Sequence, residues 1–247
     1  ITNMKDIGQY NVHAYACMND GFMIMLGGYT FEVTAPTWEI EIANQDDEAG
    51  TFDVIVKNIE SKSGVSQVQI PVWCASDQSD IVWYEATRQS DGSYKATVRI
   101  SNHKYHSGKY TVHTYLTAGN GIRTSKPYSK GVMVKPVQAK VSAKGDSQQK
   151  EYTLSVTNTG VFGNVTDLQY AVWSDTNGQD DLKWLFSNVG SDGTGSVKTQ
   201  IKDYASYGDY SVDVYGTVNG QQIFMGHTSF EVTAPTWEIE IANQDDE

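Results

Sequence analysis

Hydrophobic and polar residues alternate along most of this chain, with apolar side chains at every second position. This period places successive side chains on opposite faces of an extended strand, so that one face is apolar and the other polar. Two runs show the pattern clearly, with Phe52, Val54 and Val56 on one face of GTFDVIVKNI and Val68, Ile70 and Val72 on one face of VSQVQIPVW. No window shows the period of about 3.6 that marks an amphipathic helix. The pattern therefore predicts an all-β protein.

Turn signals separate these runs into short strands. Sequences such as SDGS, AGNG and TNGQ lie between the alternating runs, and roughly seven strands fall in each stretch of about 100 residues. That number of strands is typical of an immunoglobulin-like sandwich, although the cysteine–tryptophan–cysteine signature of antibody domains is absent. We therefore predict tandem immunoglobulin-like β-sandwich domains of about 100 residues.

The chain repeats itself at two levels. GQYNVHAY, GKYTVHTY and GDYSVDVY begin at Gly8, Gly108 and Gly208 and share the pattern Gly-x-Tyr-x-Val-x-x-Tyr at a spacing of 100 residues. Residues 31–48 return without change as residues 230–247. Because self-similarity at a fixed spacing indicates a repeat architecture, the unit of the fold is one such repeat.

The repeats define the expected domains. We expect the C-terminal strands of a partial repeat in residues 1–35, a complete repeat in 36–136, a divergent copy in 137–235, and the first strand of a further repeat in 236–247. The apolar run FMIML of the partial repeat needs other strands to cover it.

Prolines mark the predicted junctions, at Pro36, Pro136 and Pro235. Proline fixes its own φ and keeps the preceding residue extended, so these junctions are short and stiff. We therefore expect the domains to be arranged as a rod.

The first complete repeat resembles the group B streptococcal Bsp-like repeat. The resemblance is carried by GTFDV, VQIPVW, SDIVWYEA, DGSY, SNH and GKYTVHTY, and the second copy keeps VW, NGQDDLKW, SDG and GDYSVDVY. The second copy departs at its opening, where KEYTLSVTNTG replaces GTFDVIVKNIE. The resemblance implies an extracellular accessory domain of Gram-positive bacteria, found in tandem on secreted surface proteins and beside cell-wall hydrolases. It brings no catalytic residues.

Charge narrows the range of partners. The chain has 30 acidic and 18 basic residues, which give a formal net charge of −12. This excess argues against binding to nucleic acid and to an anionic membrane surface, both of which require clustered cations. No run approaches the ~18 apolar residues of a membrane helix, so we expect no membrane insertion in this segment.

One acidic run is a candidate calcium site. The sequence SDTNGQDD holds Asp175, Asn177, Asp180 and Asp181, whose oxygens are ligands of the kind that calcium accepts. The same run contains Asn-Gly, which is a preferred hairpin turn in its own right. The first copy has fewer acids at this place, so a turn is the favoured interpretation and no cofactor is expected.

Four tryptophans recur in both copies, because Trp73 matches Trp173 and Trp83 matches Trp184. Exposed aromatic rings stack on sugars, which makes an aromatic platform for a cell-wall glycan one hypothesis. Recurring aromatics in a sandwich more often pack in the core and between strands, and we favour that interpretation.

The remaining reactive residues do not converge. We expect His13, His113, His103 and His106 to be solvent-facing strand histidines, since the first two lie 100 residues apart. There is no Gly-x-Ser-x-Gly motif. Cys17 and Cys74 are expected to be free thiols, with an interchain bridge as the alternative.

These observations predict a non-enzymatic stalk or fibre segment of a bacterial extracellular surface protein. Its partners would be neighbouring repeats or copies of the same protein, at the cell surface or cell wall of a Gram-positive bacterium. The alternative is a module that binds cell-wall glycan or a host ligand and is accessory to a cell-wall hydrolase. The exposure of the tryptophans distinguishes the two hypotheses.

Overall fold

The computed structural model of the chain describes residues 3–145, 151–204 and 206–240. Over these residues the chain forms strands and three short 3-10 helices, and no α-helix is present among them. None of the helices in the described ranges has the length and apolar character needed to cross a membrane. The chain divides into two compact units, Ile1–Pro136 and Val137–Glu247. The all-β prediction is confirmed.

The strands of the first unit are β1 (Gly8–Cys17), β2 (Met23–Val33), β3 (Thr37–Asp46), β4 (Thr51–Glu60), β5 (Val65–Trp73), β6 (Val82–Glu85), β7 (Thr87–Arg88), β8 (Tyr94–Arg99), β9 (Gly108–Ala118), β10 (Arg123–Pro127) and β11 (Val132–Val134). Those of the second unit are β12 (Lys140–Lys144), β13 (Glu151–Thr157), β14 (Val165–Ser174), β15 (Lys183–Asn188), β16 (Gly195–Gln200), β17 (Gly208–Val218) and β18 (Gln221–Val232). The 3-10 helices are Ile100–His103, Thr159–Phe162 and Ile201–Asp203.

The first unit contains one sandwich. One sheet has the order β3-β4-β8-β7, and the other has the order β10-β9-β5-β6 with β11 also paired to β9. The predicted apolar face of each sheet forms the core, because the following side chains are at most 1% exposed: Phe52, Val54, Val56, Val68, Ile70 and Val72. Alternation along each strand thus sends one set of side chains between the sheets and the other set to solvent.

The second unit repeats this arrangement. A three-stranded sheet, β12-β13-β16, lies opposite a four-stranded sheet, β15-β14-β17-β18. Leu154 and Val156 from the first sheet and Tyr170 and Val172 from the second are 0% exposed. The immunoglobulin-like sandwich prediction is confirmed for both copies.

The Gly-x-Tyr motif has a defined structural role in each copy. Gly108 and Gly208 have φ angles of +115° and +109°, a backbone conformation that residues with a Cβ rarely adopt. The tyrosine two positions later donates its hydroxyl proton to the backbone carbonyl four residues before it. The bonds run from Tyr10 to Asp6 (3.1 Å), from Tyr110 to His106 (2.6 Å) and from Tyr210 to Ser206 (2.5 Å). This is the tyrosine corner of immunoglobulin-like sandwiches.

The partial repeat at the start of the chain forms a hairpin of β1 and β2. Its register equals that of β17 and β18, with an irregularity after Ala14 that matches the one after Val214. The side chains at matched positions differ in exposure, since Leu26 is 69% exposed and Met225 is 0% exposed. The hairpin therefore has the local geometry of the last two strands of a repeat, with an apolar face that is open to solvent.

Identical sequences adopt different structures in the two units. TWEIE forms the start of β3 at residues 37–41, where it pairs with β4. The same letters at residues 236–240 form no strand, and Trp237 and Ile239 are 78% and 83% exposed. Residues 241–247 of the expected further strand lie outside the described residues. A strand at this place requires a neighbour such as β4 to pair with, and the assignment of residues 236–247 to a further repeat stays a prediction.

Candidate functional site

The four recurring tryptophans lie outside the core. Trp83 is 48% exposed and Trp184 is 44% exposed, while Trp73 and Trp173 are half-buried. All four stand at the alternate strand positions whose side chains point away from the opposite sheet. The expected packing in the core is therefore wrong, whereas the expected packing between strands is seen for Trp73, Trp83 and Trp184, whose rings contact rings of other strands. The tryptophan that the core contains is Trp38, whose indole Nε1 donates a 2.8 Å bond to Thr114 Oγ1.

The outer face of the first repeat is a network of polar and aromatic groups. The Trp83 and Tyr115 ring centroids are 5.2 Å apart, and the Arg123 guanidinium lies over both rings, at 5.8 Å and 4.8 Å from their centroids. Arg123 also donates a 2.7 Å bond to Gln69, which in turn donates to Glu85. The cation therefore lies over part of each ring, and it and its partners satisfy one another's hydrogen bonds.

The outer face of the second repeat is more apolar. Phe186 pairs with Gln169, Gln169 pairs with Tyr215, and Tyr215 pairs with Phe224, so these four residues form one row across the sheet. Trp184 lies in the adjacent row, with its ring centroid 5.7 Å from that of Tyr215. Phe186 is 64% exposed and Phe224 is 40% exposed. We call Trp184, Phe186, Tyr215 and Phe224 the aromatic face.

Three members of the aromatic face were missed by the sequence analysis. Trp184 and Phe186 stand two residues apart on one strand, and this spacing alone places them on the same face. Tyr215 and Phe224 join them through strand pairing, which the order of residues does not display. The register of β14, β17 and β18 was thus the missing information.

A polar border runs along one side of the aromatic face and enters it at Gln169, which lies between Phe186 and Tyr215. Gln222 Nε2 donates a 2.5 Å bond to Gln169 Oε1, and Gln169 Nε2 lies 3.2 Å from Asp167 Oδ1. Thr217 also donates to Asp167, at 3.1 Å. The bond from Gln169, together with those from Thr217 and Thr166, lowers the pKa of Asp167 against a smaller opposing effect of burial. The border therefore presents an ionised carboxylate and two ordered amides at neutral pH.

The candidate calcium ligands do not gather around one point. Asp175, Asn177 and Asp180 are exposed, and Asp181 instead accepts bonds from the Ser174 backbone N–H (2.9 Å) and hydroxyl (2.8 Å). Over residues 3–145, 151–204 and 206–240, no group of three or more His, Cys, Asp or Glu side chains is arranged to hold a metal ion.

Asp181 has a structural counterpart in the first repeat. Asp80 Oδ1 accepts bonds from the backbone N–H groups of Cys74 (3.1 Å) and Ala75 (3.0 Å). In both repeats a carboxylate thus ties the loop after the strand to the end of that strand. This role accounts for the aspartate without a metal.

Two of the histidines are linked through Asp80. His103 is 0% exposed, so the expectation that it faces solvent is wrong. Its Nδ1 lies 2.8 Å from the Asp80 carbonyl oxygen, and its Nε2 lies 2.9 Å from the Tyr84 hydroxyl. Burial lowers the pKa of His103, which is therefore neutral, with Nδ1 as the donor and Nε2 as the acceptor. His106 Nδ1 lies 2.9 Å from Asp80 Oδ2.

His13, His113 and Cys17 lie apart from this group, whereas Cys74 adjoins it through Asp80. His13 is exposed, and His113 packs edge-on against Trp73 with ring centroids 5.0 Å apart. Cys17 and Cys74 are free thiols. Burial, with the nearby charge of Asp80, raises the pKa of Cys74 and so disfavours the reactive thiolate.

The fold and its outer faces define a protein of tandem β-sandwich repeats. The family model for the GBS Bsp-like repeat matches residues 41–127 and 141–230. The chain belongs to the GBS Bsp-like repeat family. No curated protein sequence matches it.

Several solved structures share the general architecture at low identity. A tetra-tandem repeat from the extending region of a large adhesion protein is 21% identical over 92% of this chain, with a TM-score of 0.37. This chain covers 57% of that structure. A two-domain fibronectin type-III segment from chicken tenascin is 12% identical over 79% of this chain and 98% of that one, with a TM-score of 0.39. A polysaccharide deacetylase from Bacillus cereus is 16% identical over 38% of this chain and 30% of that one, with a TM-score of 0.34. None of these likenesses carries an argument about function.

Proposed function

We propose that this chain is a non-enzymatic structural stalk or fibre segment of an extracellular surface protein of a Gram-positive bacterium. Its partners are neighbouring repeats and copies of the same protein at the cell surface or cell wall. The proposal is supported by membership of a repeat family whose copies follow each other directly along the chain. In such arrays each unit contacts its sequence neighbours, and length is gained by adding units.

The observation that carries the proposal is the shortness of the junctions. Only Thr34, Ala35 and Pro36 separate the end of β2 from the start of β3. Residues 135–139 separate β11 from β12, and within them Val137 and Ala139 are buried. The Ala139 N–H also donates a 2.7 Å bond to the Met225 carbonyl of its own unit. Such junctions leave few dihedral angles to vary, so we propose that successive repeats keep a fixed angle and form a rod.

Small-angle scattering of the whole chain tests this proposal. We expect one narrow distribution of intramolecular distances. The control is a variant with a flexible Gly/Ser segment inserted between Pro136 and Val137, which lies at the boundary of the two units. The control should give a broader distribution at unchanged repeat stability. An equally broad distribution for the unmodified chain would refute the rod.

The non-enzymatic part of the proposal has its own test. The purified chain should release no soluble products from peptidoglycan or common glycans. Turnover that a point substitution in this chain abolished would show that the repeats carry out chemistry and would overturn this part.

The aromatic face favours a second candidate function, a module that binds glycan or a host ligand and is accessory to a cell-wall hydrolase. Trp184 and Phe186 are exposed and do not contribute to the sandwich core. A stalk needs solubility and stiffness, and neither property is improved by aromatic side chains in water.

A further inference from the structure

The aromatic face of the second repeat is a platform in which Gln169 lies between Phe186 and Tyr215. Phe186, Tyr215 and Phe224 stand in one row on β15, β17 and β18, and Trp184 flanks the row. The row crosses four strands and therefore spans about 14 Å, from three strand spacings of roughly 4.8 Å each. This length is comparable to that of a short oligosaccharide.

Three side chains of this platform, Trp184, Tyr215 and Phe224, are ordered by contact with one another. The Tyr215 ring lies 5.7 Å from Trp184 and meets Phe224 edge-to-face at 5.5 Å. Burial raises the pKa of Tyr215, which is therefore a neutral phenol at physiological pH. These three rings thus form a pre-organised surface, which lowers the entropy lost when a ligand binds.

We propose that the aromatic face of the second repeat binds a neutral oligosaccharide. A pyranose ring presents C–H bonds on its faces and hydroxyl groups around its edge. The π face of an aromatic ring carries partial negative charge and attracts the C–H face of the sugar. Hydroxyl groups at the edge of the sugar meet Gln169, Gln222 and Asp167 along the polar border. Each carboxamide has two N–H donors and two lone pairs, more than the bonds within the border use.

Charge favours a neutral sugar over other occupants of this surface. The chain has a formal net charge of −12, so a second copy docked through this same face brings like charges together, which leaves contacts between copies to other surfaces. Nucleic acids and anionic polymers meet the same repulsion, which Asp167 and Asp213 add to locally. A neutral oligosaccharide has no such cost, and the apolar rings supply the contact area that it needs.

The first repeat provides an internal comparison. At the positions of Phe186 and Phe224 it carries Glu85 and Ser125, which occupy the same register beside Gln69 and Tyr115. Arg123 also lies over the Trp83 and Tyr115 rings, where it competes with a sugar for the ring face. We therefore assign the oligosaccharide to the second repeat alone. This proposal deepens the second candidate function, and it is independent of the rod, because scattering tests the junctions and binding tests this face.

Calorimetric titration of the whole chain with cellohexaose, chitohexaose and maltohexaose tests the proposal. We expect at least one of these neutral sugars to bind. The variant F186E/F224S gives the second repeat the residues that the first repeat carries at the same positions, so the fold tolerates them. It should lose at least tenfold in affinity, as should Trp184→Ala. Trp83→Ala is the matched control in the first repeat and should bind as the unmodified chain does.

The thermal transition and circular dichroism of each variant establish that both repeats remain folded. Absence of binding to all three sugars would overturn the proposal. The proposal would also be overturned if the F186E/F224S and Trp184→Ala variants bound the sugar with the affinity of the unmodified chain, because the ligand would then lie elsewhere. Sedimentation velocity tests the competing occupant, which is a second copy of the chain. Self-association of the unmodified chain that F186E/F224S abolished would show that the face binds a second copy.

Discussion

Replacing the corner tyrosines by phenylalanine tests how the repeats are held together. Tyr110→Phe and Tyr210→Phe keep the buried ring and remove only the hydroxyl group that donates to the carbonyl four residues upstream. Both tyrosines are 0% exposed. Tyr10→Phe makes the same change in the hairpin, where the corresponding bond is longer, at 3.1 Å, and exposed. The three copies therefore offer one substitution in two buried sites and one exposed site.

The expected magnitude follows from the surroundings of each bond. A net hydrogen bond contributes about 1 kcal/mol to stability, and a buried acceptor left without a donor costs about 1–3 kcal/mol. His106 and Ser206 are half-buried, so water can reach the carbonyl oxygen that has lost its donor. This contact with water reduces the loss of unfolding free energy. We expect each repeat to lose about 1–2 kcal/mol of unfolding free energy. Tyr10→Phe is expected to change stability by less than about 0.5 kcal/mol, as for other surface changes.

Urea unfolding followed by nuclear magnetic resonance separates the two repeats. The amide signals of Val112 and Val212, which lie in the two buried strands β9 and β17, report each sandwich individually. Tyr110→Phe should lower the midpoint for Val112 only, and Tyr210→Phe should lower it for Val212 only. An unchanged midpoint in the altered repeat would show that the hydroxyl contributes nothing. A loss of similar size for Tyr10→Phe would refute the argument from burial.

Three further predictions concern the core and its ionisable groups. Met225→Ala should cost the second repeat about 2–5 kcal/mol in urea unfolding because Met225 is fully buried, whereas Leu26→Ala at the matched hairpin position should stay within about 0.5 kcal/mol. Burial raises the pKa of Tyr210 from 10.0 to about 12, so its contribution to stability is complete below pH 10 and is lost as the pH rises toward 12. Alkaline unfolding monitored by circular dichroism should therefore be shallower for Tyr210→Phe; an identical pH profile would contradict this. Burial opposes ionisation of Asp80, but bonds from His106 and from backbone N–H groups lower its pKa below 3.8, so its contribution is present above pH 3.8 and is lost on further acidification. Asp80→Asn should flatten the acid limb of the stability profile, and an unchanged limb would exclude that role.

The core was predictable because residues at every second position of a strand share one face, and the apolar face is the one that is buried. Val54 and Val56 are apolar at every second position, and they are 0% exposed. The repeat spacing also gave the correspondence between Tyr110 and Tyr210. These features depend on residues within one strand or on copies of it, and the order of residues records both directly.

Other features depended on contacts that the order of residues does not record. Trp83 and Trp184 occupy alternating positions compatible with either face, and only the pairing with Pro71 and Ala171 places them outside. His103 lies in a 3-10 helix whose position over Tyr84 and Tyr110 buries it. In each case the deciding partner belongs to another strand or helix.

The repeated stretch TWEIE isolates this effect, because the residues are identical and the structures differ. At residues 37–41 a paired neighbour exists and Trp38 is 5% exposed, whereas at 236–240 Trp237 is 78% exposed. Intrinsic preference is the same in both places. Strand formation here is therefore a consequence of pairing and burial, and β-propensity alone does not fix it.

The two repeats differ on their outer sheet faces, where the sandwich core does not constrain the side chains. Inner positions keep large apolar side chains in both copies, whereas Glu85 and Ser125 of the first outer face correspond to Phe186 and Phe224 of the second. Changes on a solvent-facing strand surface alter stability little, so the sandwich does not require the aromatic residues of the second copy. Their exposure lowers solubility without stabilising the core. An advantage that offsets this cost must come from what the face contacts. The proposed stiffness and the proposed recognition would thus reside in different residues of one repeat, and we expect substitutions to remove either property while the other remains.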